Sequence, residues 1–287
     1  MEISLALPNM IPGASGAALL DWARAAEERG FAGLAATERL VYPGYDPLVA
    51  LAAAAGVTER IRLMTNVLIA PLRSDAELAK QTAGLDQLCG GRLVLGLAPG
   101  VRADDFAVAG RSFDDRVDRF NASLRALHEL WAGKVPPGCD RAVGPSPVSD
   151  DRIPLLIGGI TAAAARRVAR WAQGWTAPGL SAAQTVRAAE RVRAAWSSAG
   201  RTGAPRIVML QRFALGSDAA EPAAAFVRDY FAVLGDAAED FVTATPRSAS
   251  AIRSVLAEYA DCGVDEVVFH PTVADPVQVH RLADVTL

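Results

Sequence analysis

Short apolar runs alternate with longer amphipathic segments along the whole chain. Eight of these runs have the length and composition of buried strands: Ile3-Leu7, Ala32-Ala36, Ile61-Ile69, Arg92-Leu97, Pro154-Ile157, Trp175-Ala177, Arg206-Leu215 and Glu266-His270. Strands that alternate with helices form βαβ units and hence a parallel sheet. Eight such units in 287 residues favour a single (β/α)8 TIM barrel in which residues 1–287 form one α/β domain. An open doubly wound sheet is the alternative, although its usual G-x-G-x-x-G fingerprint after the first strand is absent.

Helix start signals fall between the predicted strands. They are two Asp-Pro pairs and two capping boxes: Asp46-Pro47, Asp275-Pro276, Ser74 with Glu77, and Ser181 with Gln184. Gly30 follows the first helical pattern, where a C-terminal glycine is expected.

The segment from Lys134 to Arg152 interrupts the alternation before the fifth strand. Its prolines and glycines exclude a helix or a central strand. Long loops of this kind in compact barrels serve as lids or ligand contacts, or they simply cross the surface. The sequence leaves both interpretations open.

Composition and charge limit the classes of molecule that the chain could bind. A net charge of −3 and a pI near 5.7 offer no basic field for nucleic acid or for a membrane surface. The amino terminus lacks the basic and apolar regions of a secretory signal, and no run of about 18 residues is apolar enough to span a bilayer. Three scattered cysteines indicate reduced thiols, and we expect a cytoplasmic protein. The spacing of His128, His270 and His280 predicts no metal site.

Several motifs follow one another in a characteristic order. They are Asp46–Leu51, Thr58–Leu63, Val67–Arg73, Leu78–Gln81, Leu85–Gly96, and Pro154–Gly159 followed by Gly174-Trp175. Taken together, the series resembles the bacterial luciferase-like family of flavin- and deazaflavin-dependent oxidoreductases and monooxygenases. Each motif alone is weakly specific, but the ordered set covers nearly the whole chain.

The resemblance implies a cofactor at the carboxyl ends of the strands, where the βα loops of any such barrel converge. It assigns the cofactor phosphate to Gly158, Gly159, Ile160 and Thr161, a turn that opens an alanine-rich helix. The alternative for this turn is an ordinary tight turn with Thr161 as the N-cap.

The third and fourth strands supply the other predicted cofactor contacts. The resemblance predicts a non-proline cis peptide between Asn66 and Val67, forming a bulge against the cofactor ring, with plain barrel packing as the alternative. Ala98, at the end of the fourth strand, completes the predicted cofactor-binding residues.

Two residues are candidates for catalysis. Glu38 ends the second strand where relatives carry an acid or a histidine; it would contact the ligand or act as a base, or it would pair with Arg39 and have no chemical role. His270 ends the eighth strand, where a general acid would be useful. Pro99 and Val101 depart from the family pattern, since some deazaflavin enzymes carry a catalytic glutamate at the position of Val101. That departure puts binding of the usual cofactor in doubt.

The leading hypothesis is an oxidoreductase that uses reduced FMN in a monooxygenation, or the deazaflavin coenzyme F-420 in a hydride transfer, on a small organic substrate. The FMN version would draw on a separate flavin reductase. A redox-inactive barrel that binds a ligand, or a cofactor-independent biosynthetic enzyme, is the alternative. The small residues of Val49–Gly56 allow close helix approach, and the resemblance makes this region a predicted homodimer interface.

Overall fold

A computed structural model describes residues 1–149, 152–178 and 180–287. Eight parallel strands form a closed barrel in sequence order, each paired with its neighbours and the last with the first. The strands are β1 Glu2–Ala6, β2 Gly33–Ala36, β3 Arg62–Ile69, β4 Leu93–Ala98, β5 Leu155–Gly158, β6 Gly174–Ala177, β7 Arg206–Phe213 and β8 Glu266–Pro271. The predicted TIM barrel, with all eight predicted strands, is confirmed.

Helices surround the barrel. They are α1 Gly16–Glu28, α2 Pro47–Ala55, α3 Asp75–Leu88, α4 Ala103–Val108, α5 Arg116–Trp131, α6 Ala162–Trp171, α7 Ala182–Ser198, α8 Ala220–Tyr230, α9 Ala238–Thr243, α10 Ala249–Asp261 and α11 Val277–Thr286, with 3-10 turns at Ala70–Leu72 and Ala232–Ala237. No helix in the described part of the chain is long and apolar enough to cross a membrane.

The predicted helix starts are in place. Asp46 accepts hydrogen bonds from two amides of the first turn of α2, and Ser181 with Gln184 forms a complete capping box. At α3 the Ser74 hydroxyl caps the amide of Glu77, while the Glu77 carboxylate bonds that hydroxyl instead of the Ser74 amide.

Alternate residues of the strands point into the barrel and fill its centre. A compact inner cluster holds Ala6, Ala35, Met64, Leu156, Val208 and Val268. The intervening strand residues join the larger core between the barrel and the helices. The centre is therefore a packed core, as expected of a barrel of this size, and not a pore.

The amino end of the barrel is closed by ion pairs. Glu266, fully buried, pairs with Arg206 at 2.9 Å and with Arg62 at 3.3 Å, and it accepts a hydrogen bond from Ser4. Glu2 bridges the same two arginines from the rim. Because this network seals one end, a ligand must enter at the other.

Part of the proline-rich segment, residues 144–148, lies against α3 on the outer wall of the barrel. Its backbone accepts hydrogen bonds from Lys80 and Gln87 of α3, and the amide of Val148 bonds Asp86. Val148 also packs beside Gly91, in the loop that enters the amino end of β4. Residues 144–148 thus lie along the surface of α3, and a lid or ligand-contact role for the whole segment stays a prediction. Asp150 and Asp151 of the predicted segment lie outside the described residues.

A second long segment between elements of the barrel lies across the mouth. Between β7 and α10, residues 214–248 form α8, a 3-10 turn and α9. The carbonyl of Tyr230 accepts a hydrogen bond from Arg102 in the β4 loop, and Tyr42 of the β2 loop donates one to Asp229. We call residues 214–248 the roof.

Candidate active site

Inward-facing residues at the carboxyl ends of the strands form the floor of the mouth. The barrel register sets Gly158 beside Thr176, and Arg212 beside His270. The Thr176 hydroxyl bonds the Asn66 side chain across the barrel at 3.3 Å. Polar groups from four strands and a bare glycine therefore meet above the apolar inner cluster.

The predicted cis peptide between Asn66 and Val67 is present. The pairing of β3 with β4 slips between Thr65 and Leu68, as a bulge requires. A Cβ atom added to Gly158 would lie 3.5 Å from Val67 Cγ1 and 3.2 Å from Ala98 Cβ. Val67, Ala98 and Gly158 thus form one shallow apolar shelf that larger side chains would fill.

The turn after β5 is open to solvent. Gly159 has a φ of +119°, which disfavours any residue with a side chain, and Ile160 is 52% exposed. Thr161 caps α6 by accepting from the Ala164 amide at 3.2 Å. Within the described residues, the backbone N–H groups of Ile160 and Thr161 have no hydrogen-bond acceptor. Two free amides before a helix start make a site for an anion.

Two side chains from other elements hold the carbonyls of this turn. The indole N–H of Trp175 donates to the Gly159 carbonyl at 2.6 Å, and Arg191 of α7 donates to the Ile160 carbonyl at 2.6 Å. In a trans peptide the N–H points opposite to the C=O. The amides of Ile160 and Thr161 therefore point away from their respective donors.

Sequence reasoning missed both of these donors. Trp175 entered the sequence analysis only as part of a motif, and its ring is fully buried among the residues between barrel and helices. Arg191 lies 31 residues beyond its acceptor, on an ordinary helical face, and the sequence carries no signal for the contact.

Glu38 is buried, and both of its carboxylate oxygens are occupied. One accepts from the Ile69 amide at 2.5 Å and the other from Arg73. The suggested pairing with Arg39 is wrong, because Arg39 extends to Asp104 at 3.0 Å and to Asp105 at 3.3 Å. Burial raises the pKa of Glu38, against the opposing charge of Arg73. Its contacts tie β2 to the end of β3; a chemical role for Glu38 stays a prediction.

His270 lies at the centre of the mouth with its Nε2 atom buried and without a hydrogen-bond partner in the described residues. Burial and the nearby charge of Arg212 lower its pKa to about 3. At neutral pH the imidazole is therefore uncharged. It can exchange one hydrogen bond with a ligand, but it carries no extra proton to deliver as an acid.

Arg212 has no carboxylate partner within the described part of the chain. Its guanidinium lies 4.4 Å from the ring centroid of Phe231 and 5.5 Å from that of Tyr230, both in the roof. Burial lowers its pKa. A desolvated cation normally requires a counter-ion, so this position favours an anionic group on a ligand.

The residue at the family's glutamate position does not face this cluster of groups. Val101 is 81% exposed beyond the end of β4. No group of histidine, cysteine and carboxylate side chains in the described ranges could hold a metal ion.

The residues present fit a phosphorylated, planar ring system. The anion site at Ile160 and Thr161 adjoins the shelf at Val67, Ala98 and Gly158, where an added Cβ would intrude. Beyond the shelf, the Nε2 atom of His270 and the guanidinium of Arg212 have no polar partner in the described residues and could bind polar groups of a ligand.

Comparison with known proteins identifies the family of the chain. The family model described as luciferase-like monooxygenase matches residues 1–262. An uncharacterised protein of Mycobacterium tuberculosis is 33% identical over 175 residues, which are 58% of this chain and 61% of that protein. The chain thus spans about three fifths of the length of this relative. An F420-dependent glucose-6-phosphate dehydrogenase of Amycolatopsis mediterranei is 33% identical over 78 residues, covering 26% of this chain and 23% of the relative.

Solved structures share the whole fold. A monooxygenase from Streptomyces bottropensis superposes with a TM-score of 0.79 at 22% identity, covering 99% of this chain and 97% of the other. An F420-dependent secondary alcohol dehydrogenase gives a TM-score of 0.82 at 15% identity, with the same coverage. One fold therefore accommodates a monooxygenase and a deazaflavin-dependent dehydrogenase.

Proposed function

The chain belongs to the luciferase-like monooxygenase family, and on that premise we propose that it is an oxidoreductase using a phosphorylated flavin-type coenzyme. The coenzyme is reduced FMN or the deazaflavin F-420, and the other reactant is a small organic molecule. The observation that carries this proposal is the turn after β5, where Trp175 and Arg191 hold two carbonyls and leave two amides free for a phosphate.

Each part of the mouth would bind a different part of the coenzyme. Ile160 and Thr161 bind the phosphate through their amides, and Gly158 with Ala98 leaves room for the ring. The side chain of Val67 supports the ring from the β3 bulge. Asn66, whose side-chain oxygen accepts from Thr176, would offer its side-chain amide to a polar group of the ring.

The coenzyme would supply the redox chemistry: oxygen activation with FMN, or hydride transfer with F-420. The protein positions the substrate and keeps water out. Arg212 offers a positive charge to an anionic substrate group, and His270 offers one hydrogen bond at Nε2. The roof covers these groups and lowers the local dielectric, which strengthens both interactions.

Two accompanying proposals concern partners. With FMN, a separate flavin reductase would supply the reduced coenzyme. A homodimer would use α2, whose exposed residues are Val49, 65% exposed, with Ala52 and Ala53.

The test is coenzyme binding to the purified protein, followed by calorimetry and by thermal unfolding. We expect FMN or F-420 to bind, and riboflavin, which lacks the phosphate, to bind far more weakly. A ligand at 100 times its Kd adds about 2.7 kcal/mol to the free energy of unfolding, so binding also raises Tm. If neither FMN nor F-420 binds, the redox proposal is wrong and the redox-inactive barrel is favoured.

A further inference from the structure

A groove of about 490 Å³ runs down the outer wall between α5 and α6. Its lining is dominated by arginine: Asn121, Arg125, Ala163, Arg166, Arg167, Arg170 and Trp171. Ala163 lies in the first turn of α6, directly after the turn whose amides are free. The groove therefore starts where the proposed phosphate site ends.

The four arginines form a concentration of positive charge in a chain of net charge −3. Within the described residues, none of them has a carboxylate at ion-pair distance. Burial and the charge of Arg166 lower the pKa of Arg167, and Asp118 acts in the opposite direction. Like charges this close repel one another, so the groove favours a ligand that carries several negative charges.

Two of the guanidinium groups are held in place before any ligand arrives. Arg167 donates to the Asn121 side chain at 2.7 Å and lies 5.7 Å from the Phe120 ring centroid. Arg170 lies 4.7 Å from the centroid of Trp171, whose ring is itself stacked on His128 at 5.2 Å. These contacts leave further N–H donors free, and pre-ordered donors lose less entropy on binding.

We propose that this groove binds a chain of carboxylates continuing from the coenzyme phosphate, namely the oligoglutamate tail of the deazaflavin coenzyme. The inference rests on the proposed function and selects between its two versions. Residues 163 and 170 lie seven positions apart on one helix, a rise of about 10 Å, which roughly three extended residues would span. FMN ends at its phosphate and would leave the groove empty.

The test compares coenzymes that differ only beyond the phosphate. F-420 with two and with five glutamates, its phosphorylated precursor with none, and FMN are titrated against the protein, and Kd is measured by ring fluorescence at several salt concentrations. We expect affinity to rise with the number of glutamates, and the dependence on salt to steepen with it.

Matched variants locate the effect. The double variant Arg166→Ala with Arg170→Ala should lose on the order of tenfold in affinity for the five-glutamate coenzyme and nothing for FMN or the tailless precursor. The control, Arg187→Ala with Arg253→Ala, removes the same charge from exposed positions on α7 and α10, and it should leave every affinity unchanged.

The outcomes separate the two proposals. Equal affinity for all tail lengths, or an equal loss in both double variants, overturns the assignment of the groove and leaves the proposed function standing. Failure of every coenzyme to bind overturns the proposed function itself.

Discussion

Trp175 donates its indole N–H to the carbonyl oxygen of Gly159 at 2.6 Å, joining β6 to the turn that follows β5. The contact fixes the orientation of the peptide group between Gly159 and Ile160. The N–H of Ile160 in that group is free and points away from Trp175. A buried aromatic side chain therefore determines the direction of an exposed hydrogen-bond donor. Arg191 does the same for the next peptide group, so side chains outside the turn orient both amides of the anion site.

Replacing Trp175 with Phe keeps a ring in the core but removes the donor. We expect several-fold weaker binding of the phosphorylated coenzyme, because one hydrogen bond that orients the amide, worth about 0.5–1.5 kcal/mol, is lost. Binding of riboflavin should not change. Trp196→Phe is the control, since it loses an equivalent bond to the Thr202 carbonyl far from the mouth. Equal affinities in wild type and Trp175→Phe would show that the indole does not position the amide.

Gly159 requires a backbone conformation that side chains disfavour, with φ at +119°. Gly159→Ala would place a Cβ 3.2 Å from Ala164 Cβ, so we expect a loss of about 1–3 kcal/mol in the free energy of unfolding together with weaker coenzyme binding. Gly133→Ala is the matched control: its φ is also positive, at +77°, but it has open space and lies after α5. That variant should lose stability and keep full affinity, as measured by urea unfolding and calorimetry. Unchanged affinity in Gly159→Ala would contradict the proposed phosphate site.

Arg73 compensates the buried charge of Glu38 and also pairs with Asp46 at 2.5 Å. Arg73→Ala leaves the Glu38 carboxylate buried without its ion-pair partner. We expect this change to cost about 3–5 kcal/mol of unfolding free energy. Glu38→Gln should cost less, because the amide oxygen can still accept from Ile69 and Arg73 keeps Asp46. Urea denaturation of both variants checks the order. If Glu38→Gln proves the more destabilising, the ion pair is not what holds Glu38 in place.

The strands and the helix starts could be predicted because their signals are local. Period-two and period-3.6 patterns and caps such as Asp46 depend on neighbours a few residues away. The cis bulge at Asn66 and the open turn at Gly159 followed from the resemblance, which transferred a local motif to a matching position.

The contacts that complete the mouth could not be predicted, because they join distant parts of the chain. Arg73 reaches Glu38 across 35 residues, and Trp175 reaches Gly159 across 16. The neighbouring Arg39 was the obvious local partner for Glu38, yet it points to Asp104 and Asp105 instead. The roof was missed for a related reason: its segments are ordinary helices whose position over the mouth is set by tertiary contacts.

Proton uptake by His270 should make stability fall below about pH 6.5. The pKa of its imidazole is lowered to about 3 in the folded protein, whereas an unfolded chain has a pKa near 6.5. As the pH falls through 6.5, His270 becomes protonated in the unfolded chain but stays neutral in the folded protein. The free energy of unfolding then decreases by up to about 1.4 kcal/mol per pH unit, and the decrease ends near pH 3, where the folded imidazole is also protonated.

Urea unfolding of wild type and His270→Asn at pH 7.5, 6 and 5 measures this effect. Relative to the variant, wild type should lose about 2 kcal/mol of unfolding free energy between pH 7.5 and pH 5. His280→Asn, at an exposed histidine, is the control for exchanging a histidine for asparagine. Because the charge of Arg212 is one cause of the lowered pKa, Arg212→Gln should raise the pKa of His270 and flatten the wild-type slope at the acid end. Parallel pH profiles for wild type and His270→Asn would mean that the folded protein protonates His270 as readily as the unfolded chain does, which would contradict a neutral, desolvated imidazole in the mouth.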